Sequence, residues 1–209
     1  MLELGPDRTD MMVTMGDLFR SEGRYRDALF WYSQALEKKS NLSRQDWYLV
    51  FAHAVCNFEL GKWAKAEAGM LQALQLNPDE ATVLNYLGYS WIDKGVRQKE
   101  ATEMIRRAVE LKPDDGFILD SYGWAYFLTG EFEKAAVHLE KAVKLEPEDV
   151  TINEHLGDAY WKLGRRSEAR FQWRYALQSN PTDEERPSLE GKLAYGLDVW
   201  EKDQKTKDE

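Results

Sequence analysis

Between Gly116 and Pro147 the chain reads GFILDSYGWAYFLTGEFEKAAVHLEKAVKLEP, and its apolar positions recur at three and four residues. Leu119, Tyr122 and Tyr126 share one face of a run from Phe117 to Thr129. Ala135, Leu139 and Ala142 share one face of a second run, from Phe132 to Leu145. This spacing predicts two core-facing helices, since a strand would alternate at every second residue. Gly130 separates the runs, because glycine reaches the left-handed conformation that ends a helix. Pro147 closes the second by disfavouring helical geometry in the residue before it. Gly123 and Ala135 are small and would face one another, letting the backbones approach. The predicted element is an antiparallel helical hairpin, which cannot bury its apolar faces alone.

Copies of it run along the chain. Pro78 to Pro113 is 35 residues, and Pro113 to Pro147 and Pro147 to Pro181 are 34 each. The glycine after the first helix recurs as Gly61, Gly95, Gly130 and Gly164. The small residues recur as Ala54, Gly88, Gly123 and Gly157, then as Ala66, Ala101, Ala135 and Ala169, and again as Ala73, Ala108, Ala142 and Ala176. An earlier hairpin, with Gly16, Gly23, Ala28, Tyr32 and Ala35, lacks the closing proline. Ser43 to Asp46 there fits a capping box, so the next helix is expected to start near Arg44. The pattern divides the chain into a disordered lead-in (1–8), a first unit with an extended connection (9–46), and units over 47–80, 81–115, 116–149 and 150–182. A helix over 183–203 and a tail over 204–209 follow. Leu189, Leu193, Leu197 and Trp200 form one stripe on that last helix, and Thr182 with Glu185 could cap it. Two-helix units at a period near 34 predict a stacked solenoid, and the last helix would cover its final apolar face.

The repeat resembles the tetratricopeptide repeat family. Leu156-Gly157, Tyr160, Ala169, Ala176 and Pro181 carry the match, with their counterparts in the other units. It covers roughly residues 9–181. It implies an all-α, right-handed α-solenoid of about five hairpins with a C-terminal capping helix. It also implies a concave groove, lined by the first helices, that binds a peptide or helix of a partner protein. Three runs are similar to a narrower group: Leu84-Asn85-Tyr86-Leu87-Gly88-Tyr89-Ser90-Trp91, Asp120-Ser121-Tyr122-Gly123-Trp124, and His155 to Arg166. These look like the C-terminal halves of bacterial cell-envelope tetratricopeptide proteins, some of which are adaptors for an envelope protease.

On that resemblance the groove is expected to carry Tyr48, Phe51, Val55 and Phe58 in the second unit and Asn85, Tyr89 and Ile92 in the third. In the fourth it carries Phe117, Asp120, Trp124 and Phe127, and in the fifth Glu154, Asp158 and Trp161. Burying one large apolar side chain is worth roughly 1.5–3 kcal/mol, so three or four rings could anchor a peptide. The competing reading is that these rings pack between neighbouring units, or that the groove holds the chain's own N-terminal segment. The carboxylates are expected to face solvent and to favour a partner with some positive charge. The basic clamp with which some family members hold a terminal carboxylate has no counterpart here.

Composition narrows the alternatives. The 209 residues include 28 basic and 37 acidic ones, for a net charge of −9, with no basic run. That argues against nucleic-acid binding. No apolar window is long enough to span a membrane. The opening MLELGPDRTD shows no signal pattern, so the chain is expected to be either cytoplasmic or a piece of a longer exported, periplasmic protein. Cys56 is the one cysteine. His53 and Cys56 lie three apart, but a metal site needs three or four ligands, so His53 reads as a core histidine and no metal or cofactor is expected. His138 reads as a surface residue. Glu154, His155 and Asp158 could form an acid–base cluster, but solvated carboxylates lack the tuned pKa values catalysis uses, and no enzyme is expected. Binding of a small molecule or lipid in the groove, and self-association as a homo-oligomer, stay open as alternatives.

Overall fold

The computed structural model describes residues 9–206, so the expected lead-in over 1–8 and the last of the tail lie outside the described residues. The described chain is all-α. Its first helices are α1 (Thr9–Ser21), α3 (Trp47–Glu59), α5 (Ala81–Asp93), α7 (Gly116–Leu128) and α9 (Val150–Lys162). Their partners are α2 (Tyr25–Glu37), α4 (Trp63–Leu76), α6 (Gln98–Leu111), α8 (Phe132–Leu145) and α10 (Arg166–Gln178). The helices group into two compact units, one up to Leu87 and the other from Gly88, and the division falls within α5.

One turn is used at all five hairpins. Gly130 has φ +81°, its N–H donates to the Phe127 carbonyl at 3.0 Å, and the Glu131 N–H donates to the Tyr126 carbonyl at 2.9 Å. This pair of bonds satisfies carbonyls that a helix end leaves free, and it needs a left-handed residue at its centre. The same two bonds recur around Gly23, Gly61, Gly95 and Gly164. Ahead of α7 and α9, Asp115 and Asp149 accept from the backbone N–H groups of Ile118 and Ile152 at 3.2 and 2.9 Å. Ser43 and Asp46 form the expected reciprocal box, and a 3₁₀ turn, Arg44–Asp46, leads into α3.

At most crossings a glycine of the first helix is set against a large side chain of the second. A Cβ on Gly16 would stand 2.4 Å from the Tyr32 ring, one on Gly123 2.6 Å from Leu139, and one on Gly157 2.4 Å from the Trp173 ring. Tyr32, Leu139 and Trp173 are all fully buried. In the α3/α4 hairpin the roles are exchanged. Ala54 stands on the first helix, and the space is made by Gly69 on the second, where a Cβ would meet that of Ala54 at 2.7 Å.

The expected single capping helix is two. Thr182 and Glu185 form the expected cap, the Thr182 N–H donating to the Glu185 carboxylate at 2.8 Å. Then α11 (Arg186–Tyr195) and α12 (Leu197–Lys205) are separated by Gly196, with φ +85° and ψ 159°. That region is open essentially to glycine alone. The cause is tertiary, since the Trp161 ring occupies the space a Cβ at Gly196 would need, 2.2 Å away.

Gly157→Ala is expected to destabilise the second unit by about 1–3 kcal/mol, because Trp173 has no free space to enter. The check is the urea midpoint. An unchanged midpoint would show that the crossing has slack.

Candidate functional site

Glu154, Asp158 and Trp161 are spaced four and three apart, so they share one face of α9, and α11 and α12 cover that face. Lys192 of α11 reaches in, its Nζ 2.5 Å from Glu154 Oε1 and 2.7 Å from Asp158 Oδ2. Ser188 donates to Glu154 at 2.6 Å, and the Trp173 indole N–H donates to Asp158 Oδ1 at 2.9 Å. Asp158 is only 2% exposed. The expectation that Glu154 and Asp158 face solvent is therefore corrected. A lysine at the edge of the cap's apolar stripe turns both carboxylates inward.

The next residue of α9 pairs with α7. His155 Nδ1 lies 2.8 Å from Asp120 Oδ1, and the Trp124 ring stacks on the imidazole with centroids 3.9 Å apart. Phe127 stacks in turn on Trp124, at 4.6 Å. Burial pushes the His155 imidazole down, but Asp120, Asp158 and Glu154 outweigh it, and the pKa is raised above the usual 6.5. Burial pushes the Asp158 carboxyl up against the pull of Lys192, with the charge of Glu154 adding to the rise. Lys192 holds its proton because the two carboxylates overcome its desolvation. The acidic residues expected to favour a basic partner are thus committed inside the protein.

A second set of contacts holds α12. The Trp161 indole N–H donates to Asp198 at 2.8 Å, and Lys162 Nζ lies 2.9 Å from both Asp198 and Glu201. Arg166 lies over the Trp161 ring at 3.7 Å. Arg170 donates to the Leu193 carbonyl near the end of α11.

In the first unit Asp17 accepts from the phenols of Tyr32 and Tyr48 at 2.6 and 2.5 Å, and Arg20 donates to both phenol oxygens. Phe51 and Val55 are buried. Phe51 and the half-buried Phe58 both meet the edge of Tyr86, at 5.6 and 5.7 Å. Asn85 is half-buried, and its Oδ1 is buried without a hydrogen-bond partner. In the second unit Ile92 is buried and Tyr89 half-buried, its phenol pushed up to about 12 by burial and by the charges of Asp120 and Asp93.

Seven of the fourteen expected groove residues, Phe51, Val55, Ile92, Asp120, Phe127, Asp158 and Trp161, are packed side chains, whereas Phe117 is 54% exposed. Periodicity fixed the face each residue occupies, but could not tell whether a neighbouring helix covers it. Leu128, 48% exposed, lies 11 residues beyond Phe117 and so on the same line of α7, and sequence reasoning missed it. His53 shares a hydrogen bond with Ser33 at 3.2 Å. His138 is not a free surface residue but stacks on Tyr126. Burial pushes the Cys56 thiol up to about 11, so it is a packing residue rather than a reactive thiol. Among the described residues no group of three or more His, Cys, Asp and Glu is placed to hold a metal. Nor is any described helix long and apolar enough to cross a membrane.

Two outcomes follow for the cap. Lys192→Ala leaves two carboxylates buried without a cation and is expected to cost about 3–5 kcal/mol, read from denaturant midpoints. Adding Glu154→Gln and Asp158→Asn should recover most of that loss. His155 has a raised folded-state pKa, so its stabilisation is complete below the unfolded value near 6.5 and is lost as pH rises through the folded value. The melting temperature should therefore fall with rising pH in that window, and His155→Asn should flatten the slope.

The comparisons with known proteins agree with this architecture. Residues 5–191 match the family described as the cilia and flagella-associated protein 70 C-terminal domain. BBS4 of Bos taurus, a BBSome complex member, is 30% identical over 136 residues, 65% of this chain and 25% of that protein. The chain thus spans about a quarter of that relative's length. The crystal structure of TTC0263, a tetratricopeptide protein of Thermus thermophilus, superposes with a TM-score of 0.73 at 23% identity, over 89% of this chain and 99% of that one. MamA of Desulfovibrio magneticus does so with a TM-score of 0.66 at 19% identity, over 83% and 96%. These two likenesses show the fold. The chain belongs to the family of the cilia and flagella-associated protein 70 C-terminal domain, built of tetratricopeptide-like helical repeats.

Proposed function

We propose that the chain is a non-catalytic scaffold that binds a peptide or helix of a partner protein along the first helices of its repeats. The observation that carries this reading is the line Phe117, Trp124 and Leu128 on α7. It lies opposite Leu119, Gly123 and Tyr126, which hold the hairpin. Phe117 and Leu128 are about half exposed, and the Trp124 ring between them is fixed by Phe127 and His155. Exposed apolar side chains on a rigid, packed backing are what an anchoring surface needs. Phe117 also edges a cleft of about 510 Å³ lined by Lys112, Pro113, Asp114, Asp115 and Glu146.

Of the expected groove residues, Phe117, Trp124 and Tyr89 supply the contact surface in this reading, and the packed ones supply its support. Membership in a repeat family of binding scaffolds and the BBSome subunit among the relatives both favour a role inside a multiprotein assembly. The envelope-protease setting is a narrower form of the same reading. It rests on the likeness of the runs Leu84 to Trp91 and His155 to Arg166 to envelope adaptors.

Phe117→Ala with Leu128→Ala should leave the unfolding free energy, read from urea curves, within about 0.5 kcal/mol of wild type, as for other exposed sites. It should also remove specific partners from an affinity capture. Capture of the same partners by both proteins would sink the reading.

A further inference from the structure

The face of α9 and α10 that holds α12 has the make-up of a ligand site. Asp198 takes the Trp161 indole N–H and the Lys162 ammonium, with the Arg166 guanidinium 3.8 Å away, and Glu201 takes Lys162 again. Leu197 is 1% exposed and gives the helix its apolar anchor. We propose that Trp161, Lys162 and Arg166 form a docking site for an acidic amphipathic helix of a partner protein, and that α12 fills this site from within the chain. The helix recognised carries a leucine, an aspartate directly after it and a glutamate three residues beyond the aspartate, as α12 does. The idea rests on the interaction-module reading but uses residues other than Phe117 and Leu128, so either test can fail without the other.

Three observations make α12 displaceable. First, its side chains in the ion pairs are 58% and 41% exposed, and exposed pairs hold weakly. Second, α12 has nine residues, too few for a helix that is stable by itself. Third, its joint to α11 is the single residue Gly196, and the apolar stripe Leu189, Leu193, Leu197 and Trp200 continues across that joint at helical spacing. Releasing α12 therefore asks for a backbone change at Gly196 and for the Trp200 ring to leave its seat against Gly191 of α11, after which the stripe suits one straight helix over residues 186–205. A tethered helix competes at a high effective concentration, so an outside ligand meets a mostly filled site until α12 is weakened.

The test uses the full chain and a fluorescein-labelled peptide of residues 196–206, followed by anisotropy at low salt. The chain carrying Asp198→Lys and Glu201→Lys should bind the peptide at least tenfold more tightly than wild type. Adding Lys162→Glu and Arg166→Glu should abolish binding, and a peptide with both acids reversed should not bind. Asp198→Asn with Glu201→Gln, a milder change, should give an intermediate gain, and far-UV circular dichroism should show each variant folded. Equal affinity of wild type and the lysine variant would overturn the proposal, as would binding indifferent to Lys162 and Arg166. A wild-type dimer in light scattering that the lysine changes dissolve would make the occupant a second copy of this chain, and would overturn the partner reading too.

Discussion

Every hairpin depends on the same close approach: one helix gives up a side chain so that its neighbour's residues can be buried whole. Where the first helix carries glycine, the second offers Tyr32, Ile105, Leu139 or Trp173. Where the first helix carries Ala54, the second yields at Gly69. The constraint is on the sum of the two volumes and leaves the choice of large residue open. That is why the crossings stay alike while their large residues differ. Interiors pack at crystal density, so a single methyl group at such a place has nowhere to go. The rest of the framework, from turn geometry to the alanine faces of the second helices, follows from keeping the two backbones this near.

Against this apolar framework the last hairpin stands apart. Its first helix, α9, buries two charged clusters, His155 with Asp120 of α7, and Asp158, with Glu154 nearly so, around Lys192 of α11. Ion pairs in low dielectric seldom repay their desolvation, and an apolar replacement is often at least as stable. What these two clusters supply is orientation. Lys192 fits between Glu154 and Asp158 only when α11 lies at one height along α9, and Asp120 fixes the imidazole that carries the Trp124 ring.

Much of this was legible in the sequence because it is local. Gly130 and Pro147 declare the ends of their helices through their own backbone chemistry, and the recurrence of Ala101, Ala135 and Ala169 gives the period. The break at Gly196 was not legible, since the stripe from Leu189 to Trp200 runs through it and the cause is the Trp161 ring, far back along the chain. The burial of Asp158 was hidden for the same reason. A signal did exist: Lys192 flanks an apolar stripe, and two carboxylates one helical turn apart wait on α9. Leu128 was passed over because it sits at the end of its helix, where periodicity is weakest.

The cap's charge lock also bears on how a repetitive chain avoids mispairing. Near-identical hairpins invite a slip by one repeat, in which the end of the chain seats itself one hairpin early at little apolar cost. The positions matching Glu154 and Asp158 one repeat back are Asp120 and Trp124, and two repeats back Asn85 and Tyr89. Neither pair can receive the Lys192 ammonium between two carboxylates, so a slipped terminus would bury a cation half-matched or unmatched. The lysine thus acts as a counter of repeats, tying α11 and α12 to the hairpin of α9 and α10.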